Sequence, residues 1–439
     1  MDWSQSRHLY HEAKAFTPGG VHSNARFRSP HPLYFTRAKG SRVWDVDGNE
    51  YVDCVVGYGA CLLGHGDPDV EAAVIRAVQQ GLTNGLEVPL GLSVAQRIVR
   101  MFPSAEAVRF ANSGTEVLLK ALMVARAATG RAKIAKAEGG YHGWADEVLV
   151  SVHPSLAACG PPRAPLPVPA GSGLRHNVTE TTIPFPYNDL EGTLAQLDPH
   201  RRDLAAVVLE PILIECGCVP GQPEYLRGLR EYTARHGIVL IFDEVATGFR
   251  LAPGGAQALL GIHPDLTLLE KGMGNGYPIA ALAGRRDLLD RTDPEHGAVA
   301  YFGTLNAGAI PLAAADATLA KLETGEVQGY LSRVGDRIAA GLREKMQAWG
   351  IPVQVHTAGG EFHIYFTAEP VIDYRSAARA SAEIFSRFFR ALLEQGILVG
   401  TDYLTSHHGV SFAHSDADLT RILAAAEHAL DTLDSKHKR

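Results

Sequence analysis

The stretch IVLIFDEV, residues 238–245, joins an unbroken apolar run to two acidic residues. A second run of the same character, AAVVL, occupies residues 205–209. Uninterrupted apolar runs of this length are typical of strands buried on both faces, as in a parallel sheet covered by helices. The segment between them, PEYLRGLREYTARHG at residues 223–237, has helical spacing and ends in glycine. These patterns predict an α/β fold built on a parallel sheet.

The alternation of helical and strand-like segments extends from about residue 67 to residue 290. Further helices are predicted at 67–81, 92–102 and 115–130, and further strands at 107–112, 133–138 and 265–271. The Pro-, Gly- and Ala-rich segment 154–186 is predicted to be a long loop.

Both ends of the chain have a different pattern. Residues 40–54 read as a β-hairpin that turns at Asp47-Gly48, and the chain after residue 310 alternates helix, strand and helix. We therefore expect a smaller α+β unit built from both termini. The predicted boundaries are 1–64 for the N-terminal segment of that unit, 65–310 for the large domain and 311–439 for the C-terminal part.

Composition limits the classes of function. The chain has 439 residues and a net charge of −7, without a long basic run, so nucleic acid and anionic membranes are not expected partners. No apolar run is long enough to span a bilayer, and the N-terminus has no signal-like apolar segment. Five cysteines suggest a reducing, cytoplasmic location, and we expect Cys216 and Cys218 to be buried apolar residues rather than metal ligands. No metal site is predicted.

Polar residues follow three of the predicted strands where those strands end. Asn112 to Thr115 lead into a helix, Asp243 and Glu244 follow IVLIF, and Lys271 comes shortly after DLTLL. Ligands of open parallel sheets bind at the carboxyl ends of strands, so these residues are candidates for a site. Each also has a plain structural explanation: a helix cap, a salt bridge from the acidic pair to a core arginine such as Arg250, and a surface lysine.

Taken together, the three strand ends match the requirements of pyridoxal 5′-phosphate (PLP). A lysine forms an imine with the cofactor's aldehyde, a carboxylate keeps the pyridine nitrogen protonated, and a helix N-terminus binds the phosphate. A Walker phosphate loop is absent from the sequence. GMGNG, at 272–276, follows its lysine instead of opening a helix after the first strand, which fits a dinucleotide fingerprint poorly.

Several blocks resemble a known family. ANSGTE (111–116), GGYHGW (139–144), DEVATGFR (243–250), EKGMGNGYPIAALAGRRD (270–287) and GTLNAG (303–308) are similar in order and spacing to class III aminotransferases of fold type I. The nearest branch is that of glutamate-1-semialdehyde 2,1-aminomutase, and the resemblance covers nearly the whole chain. It implies a large, mostly parallel seven-stranded sheet domain covered by helices, with a smaller α+β domain built from both chain termini.

The resemblance also implies roles at matching positions. Lys271 resembles the Schiff-base lysine, and Asp243 the carboxylate facing the pyridine nitrogen. The remaining positions resemble a residue packed under the ring (Val245), the phosphate cradle (Ser113, Gly114, Thr115), an aromatic stacked over the ring with its neighbour (Tyr141, His142), an acid near the ring hydroxyl (Glu210) and a threonine that reaches the phosphate in the partner subunit (Thr304). A homodimer is thereby implied. Tyr141 could instead be a core residue, and His142 a satisfied loop histidine.

Departures from the family pattern concern the substrate more than the cofactor. Glu270 stands where relatives more often have Gly or Ser, and it could alter the proton affinity of the imine or point to solvent. The segment 400–412 lacks a proline-containing motif common near the mutase site. Tyr58-Gly59 stands where the mutase branch tends to carry tryptophan.

The leading hypothesis is a PLP-dependent aminotransferase that moves an amino group from an amino acid or amine to a keto acid or aldehyde. Lys271 would act as general base, and Arg26 would hold a substrate carboxylate unless it is an ordinary surface arginine. An aminomutase is the alternative, followed by a racemase and by an amino-sugar-forming aminotransferase. A non-catalytic protein that retains the fold is a further alternative, which the joint presence of Lys271 and Asp243 disfavours.

Overall fold

The computed structural model describes residues 1–82, 84–400 and 408–434. The strands are β1 (Phe35–Lys39), β2 (Arg42–Asp45), β3 (Glu50–Asp53), β4 (Ala107–Ala111), β5 (Lys133–Ala137), β6 (Thr182–Phe185), β7 (Leu204–Leu209), β8 (Ile212–Leu213), β9 (Val219–Pro220), β10 (Val239–Asp243), β11 (Leu266–Leu269), β12 (Ala280–Gly284), β13 (Gln354–Ala358), β14 (Glu361–Tyr365), β15 (Ile397–Leu398) and β16 (His408–Gly409). The helices are α1 (Ser4–Ala13), α2 (Pro68–Gln79), α3 (Pro89–Met101), α4 (Gly114–Thr129), α5 (Val178–Thr181), α6 (Leu190–Leu197), α7 (Pro223–His236), α8 (Gly255–Leu260), α9 (Arg286–Leu289), α10 (Ala309–Leu322), α11 (Glu326–Ala348), α12 (Tyr374–Ala377), α13 (Ala382–Glu394) and α14 (Asp416–Asp434).

The central sheet has seven strands in the order β4-β12-β11-β10-β7-β5-β6. Strand β12 is antiparallel to both of its neighbours, whereas β10 pairs in parallel with β11 and β7, and β5 with β7 and β6. Alternate residues of β7 point to opposite faces: Ala206 and Val208 pack with α4, and Val207 and Leu209 pack with α7. The predicted α/β fold, with a mostly parallel sheet covered by helices, is confirmed.

Two of the seven strands were not predicted from the sequence. Strand β12 consists only of alanine, leucine and glycine, so it lacks the β-branched and aromatic residues that mark a strand. It is nevertheless fully buried between two neighbours. Strand β6 lies within segment 154–186, where a loop was predicted, and that part of the prediction is wrong. Its proline, Pro184, is tolerated because β6 is an edge strand.

Residues near both ends of the chain share a second sheet, in the order β1-β2-β3-β15. The predicted hairpin is present as β2 and β3, and β1 extends it. Strand β15, from the C-terminal part, pairs in parallel with β3 through Ile397 beside Val52. This arrangement agrees with a smaller unit built from both termini, although the boundaries at residues 64 and 310 stay predictions.

A buried ion pair connects the loop after β10 with β14. Arg250 and Glu361 are each 1% exposed, and Arg250 Nη2 lies 3.0 Å from Glu361 Oε1. The same guanidinium donates to the carbonyls of Gly59 (2.6 Å) and Gly359 (3.2 Å). Because the two charges are paired and the guanidinium is also hydrogen-bonded, part of the cost of removing them from water is offset. A salt bridge from the acidic pair after β10 to Arg250, weighed as an alternative above, is therefore not what Arg250 makes.

The acid next to Asp243 has a purely structural environment. Glu244 is buried and accepts hydrogen bonds from the backbone N–H groups of Ala256 (2.5 Å) and Gln257 (3.1 Å) and from the hydroxyl of Thr247 (3.0 Å).

All five cysteines are buried and without disulfides. Within the described ranges, no helix is at once long enough and apolar enough to cross a bilayer.

Candidate active site

A cavity of about 280 Å³ opens where β10, β11 and the start of α4 come together. Its walls contain every residue to which the sequence analysis assigned a cofactor role within one chain. The lining residues are Ser113, Gly114, Thr115, Tyr141, His142, Gly143, Trp144, Glu210, Glu215, Asp243, Val245, Ala246, Glu270 and Lys271.

Lys271 is an interior residue rather than a surface charge. Its side chain is 16% exposed, and its Nζ lies 3.8 Å from Glu215 Oε1. Its backbone φ is 41°, in the left-handed region that residues with a side chain rarely adopt. Strained backbone of this kind persists where the surrounding structure holds it, often at functional sites. The fold thus directs a primary amine into the cavity.

Asp243 is held in place by a buried histidine. His142 Nδ1 lies 2.8 Å from Asp243 Oδ2, and Asp243 Oδ1 accepts the backbone N–H of Val245 at 3.0 Å. Burial lowers the pKa of His142, against the raising influence of Asp243, so the ring is neutral and donates its Nδ1 proton to the carboxylate. His142 Nε2 is buried and has no hydrogen-bond partner among the described residues. Hydrogen bonds to both of its oxygens thus fix the Asp243 carboxylate at the wall of the cavity.

The start of α4 forms a cradle for an anion. Ser113 is the N-cap and accepts the backbone N–H of Glu116 at 3.3 Å, and Thr115 Oγ1 accepts the backbone N–H of Trp144 at 3.3 Å. The loop that carries Trp144 can approach this closely because Gly143 has no Cβ, which would lie 2.4 Å from Thr115 Oγ1. Unpaired N–H groups and the dipole of a 16-residue helix favour a negative ligand here.

Two further predicted residues complete the walls. Glu210 is buried; its Oε2 accepts the backbone N–H of Ile214 at 3.0 Å, whereas its Oε1 has no hydrogen-bond partner among the described residues. Burial, followed by the charges of Glu215 and Asp243, raises the pKa of Glu210 well above its usual range. Tyr141 is 38% exposed and stands at the opening of the cavity.

The sequence analysis missed Glu215 as a site residue. It follows β7 and β8 in the stretch EPILIECG, next to Cys216. The one available signal was its position five residues after Glu210 in the same connection. Glu270, by contrast, was singled out, and its side chain lines the cavity. An effect on the proton affinity of the imine stays a prediction.

Two predicted residues lie outside this cavity. Arg26 is exposed at the end of a short 3₁₀ turn, Asn24–Arg26, and Thr304 is exposed in the turn before α10. Neither belongs to the cavity's lining residues. The predicted contact of Thr304 is with a partner subunit, so its role stays a prediction, as does that of Arg26. The unusual segment 400–412 falls mostly outside the described residues.

The residues present fit PLP. The cradle at Ser113 to Thr115 accommodates a phosphate, Lys271 offers an amine, and Asp243 offers a fixed carboxylate for a protonated ring nitrogen. Val245 provides an apolar wall between the carboxylate and the cradle, and its Cγ2 would lie 3.1 Å from a Cβ built on Gly114. The buried, unpartnered Glu210 Oε1 supplies a further polar atom on the wall.

Comparisons with known proteins identify the family. The family model "Aminotransferase class-III" matches residues 24–430. Glutamate-1-semialdehyde 2,1-aminomutase 2 of Brevibacillus brevis is 40% identical over 433 residues, covering 98% of this chain and 99% of that protein. A solved ω-transaminase from Sphaerobacter thermophilus has a TM-score of 0.91 and 33% identity over 97% of both chains. A solved transaminase with bound PLP has a TM-score of 0.91 and 31% identity over 100% of both chains.

A seven-stranded α/β sheet that brings a lysine, a carboxylate and an anion-binding helix end into one cavity defines a PLP-dependent enzyme. The chain belongs to the class III aminotransferase family. Its cofactor is PLP, as in the solved transaminase that it resembles over its whole length.

We predict that Asp243→Asn slows the reaction of the bound cofactor with an amino donor by roughly 10²- to 10³-fold, the scale of losing one electrostatic stabiliser. An amide cannot offset the positive charge of a protonated ring nitrogen. Stopped-flow absorbance of the cofactor measures the rate. Asp287→Asn, a matched change at an exposed carboxylate in α9, serves as the control and should leave the rate unchanged. Equal rates for Asp243→Asn and the wild type would rule out this role.

Proposed function

We propose that the protein is a PLP-dependent aminotransferase that moves an amino group from an amino acid or amine donor to a keto acid or aldehyde acceptor. The observation that carries the proposal is the position of Lys271, whose amine enters a cavity bounded by the anion cradle and by Asp243. An amine there can both attach the cofactor and move protons at the carbon that bears the amino group.

Each wall residue has a task in this reaction. When bound, PLP supplies an aldehyde and a protonated ring that accepts the electron pair left by a departing proton. Ser113 and Thr115 bind the phosphate, and Asp243, held by His142, keeps the ring nitrogen protonated. Lys271 Nζ takes the proton from the amino-bearing carbon of the substrate. Tyr141, at the opening, would stack over the cofactor ring.

Within the proposed reaction, the charges of the cavity favour amine donors and aldehyde acceptors over substrates that carry a carboxylate, which include amino acids, keto acids and the glutamate-derived substrate of a mutase. Four carboxyl groups line it, those of Glu210, Glu215, Asp243 and Glu270, and no arginine is present among its described lining residues. A substrate carboxylate normally needs a cationic partner, most often a guanidinium. The one lysine of the wall is occupied by the cofactor chemistry.

An aminomutase is the second candidate, because the relative from Brevibacillus brevis is named glutamate-1-semialdehyde 2,1-aminomutase 2 and is 40% identical over 98% of this chain. A mutase would shift an amino group between adjacent carbons of one substrate, with the same lysine moving the protons. Only the fate of the amino group differs between the two reactions.

The decisive experiment supplies the holoenzyme with one amino substrate and no carbonyl acceptor. A transferase stops after one equivalent of product per site and resumes when a 2-oxo acid or an aldehyde is added. Primary amines, amino acids and glutamate-1-semialdehyde are tested in parallel, and product is measured by chromatography. Many turnovers to an isomerised product without acceptor would overturn the transferase. A product with the amino group on the adjacent carbon would establish the mutase, and a product of inverted configuration would establish a racemase.

Lys271→Ala should abolish turnover, with a fall of roughly 10³-fold or more in rate, because no other amine lies in the described part of the cavity. The variant should still bind PLP, since the cradle and Asp243 remain, but the absorption spectrum of the bound cofactor should change. Lys345→Ala, at a lysine that pairs with Glu427 away from the cavity, is the control. Wild-type turnover in Lys271→Ala would refute the proposed function.

We also propose a homodimer in which Thr304 reaches the cofactor phosphate in the partner subunit. The loop that carries Thr304 exposes two large apolar side chains, Phe302 (85%) and Leu305 (54%), which a partner could cover. Asn306 of the same loop accepts a hydrogen bond from Asn112 Nδ2 at 3.0 Å, which fixes the loop next to the cradle of its own chain.

Sedimentation equilibrium should therefore give twice the mass of the chain. Thr304→Ala should weaken PLP binding about tenfold, the effect of one lost hydrogen bond to a charged group. The affinity is measured by fluorescence titration of cofactor-free protein. A monomer at micromolar concentration, or an unchanged affinity in Thr304→Ala, would contradict the proposed contact.

A further inference from the structure

Glu270 brings a carboxyl group to the phosphate end of the cavity. It follows β11 directly and precedes Lys271, and its side chain lines the cavity together with Ser113, Gly114 and Thr115. Its Oε2 would lie 3.8 Å from a Cβ built on Gly114, the central residue of the cradle. The carboxyl group is therefore a near neighbour of the site where the phosphate binds.

Few charges of the chain offset this carboxyl. Lys271 is adjacent and favours its ionised form, and Asp243 disfavours it. Strand β12, which pairs with β11, carries only alanine, leucine and glycine. In the first turn of α4, Glu116 is turned back to accept the backbone N–H of Asn112 at 2.6 Å.

The other walls of the cavity add mainly acidic and neutral groups. These are Tyr141, the neutral His142, Glu210 and Glu215. Burial raises the pKa of Glu270, with Lys271 opposing the shift. Lys271 is also the residue to which PLP attaches, so its positive charge is shared with the cofactor chemistry.

A phosphate monoester carries a charge of about −1.5 to −2 near pH 7. Two like charges within a few ångströms in a partly buried cavity repel each other strongly. The N–H groups and the dipole at the start of α4 stabilise the phosphate dianion, whereas burial already disfavours the charged form of Glu270, so the repulsion is relieved by protonating the carboxyl group. We propose that Glu270 couples cofactor binding to the uptake of one proton, so that the phosphate occupies the cradle together with a protonated Glu270. A protonated carboxyl is also a hydrogen-bond donor and can donate to a phosphate oxygen. This inference rests on the placement of the phosphate at Ser113 to Thr115.

The sign of the pH dependence follows from the coupling. The phosphate-bearing cofactor binds better to the protein in which Glu270 is protonated. Its affinity is therefore highest below the pKa of Glu270 in the cofactor-free protein. Above that pKa affinity falls by up to about tenfold per pH unit, the limit for one linked proton. The phosphate's own second ionisation, with a pKa of about 6, is nearly complete above pH 7 and contributes little there.

The test uses the full-length protein freed of cofactor and two ligands, pyridoxine 5′-phosphate and pyridoxine. Both are alcohols that cannot bond to Lys271, so the ratio of their dissociation constants isolates the contribution of the phosphate. Titration calorimetry between pH 7 and pH 9.5 gives this ratio. Repeating it in buffers of different ionisation enthalpy gives the number of protons taken up.

In the wild type, the advantage of the phosphate should shrink as the pH rises, and proton uptake should approach one per site. Glu270→Gln, which keeps the shape and a hydrogen-bond donor, should bind pyridoxine 5′-phosphate more tightly than the wild type at pH 9 and should lose the slope and the uptake. The control Glu215→Gln removes a carboxylate beside Lys271, at another wall, and should keep the slope.

Equal slopes in the wild type and Glu270→Gln would overturn the proposal. If Glu270→Gln does not fold, Glu270→Ser replaces it in the same titrations. The number of protons taken up by the wild type is a second test, and an uptake near zero would overturn the proposal. The proposed function fails separately: it is refuted by turnover in Lys271→Ala, whereas these calorimetric results leave that outcome untouched.

Discussion

The parallel pairing of β10 with β11 is the constraint on which the site depends. In this register Asp243 lies beside Leu268, and the chain reaches Lys271 three residues further on. Both residues thus emerge at the same edge of the sheet, and the N-terminus of α4 enters from β4 at that edge. Shifting the register by one residue would reverse the faces to which side chains point and separate the carboxylate from the amine.

Acidic side chains outnumber basic ones around this edge of the sheet. Lys271 and the helix N-terminus are the positive features, and four carboxyl groups surround them. Burial and mutual repulsion favour the neutral forms of Glu210 and Glu270. Asp243 differs from them in that both of its oxygens are hydrogen-bonded, to His142 and to the backbone of Val245. The four carboxyl groups of the cavity therefore differ in their properties because their surroundings differ.

Local sequence patterns predicted helices and strands well where the residues were typical of that kind of element. The strands β7 and β10 were readable because Val, Ile and Leu follow one another without interruption, and α4 was readable from its helical spacing and from Gly130, whose φ is 67°. Strand β12 was missed because alanine and glycine carry little strand preference; its state is imposed by its two buried neighbours. The same is true of β6, whose Pro184 is acceptable only at an edge.

The sequence by itself determined the class of chemistry, because a lysine, a carboxylate and a capped helix after strands are properties of residue type and order. Tertiary structure alone decided which acids surround the amine. Glu215 reaches Lys271 across 56 positions of sequence, Glu270 faces the cradle instead of the solvent, and Arg250 pairs with Glu361 rather than with the acids after β10. Such contacts depend on how separate elements pack and on where water is excluded, and no local pattern encodes either.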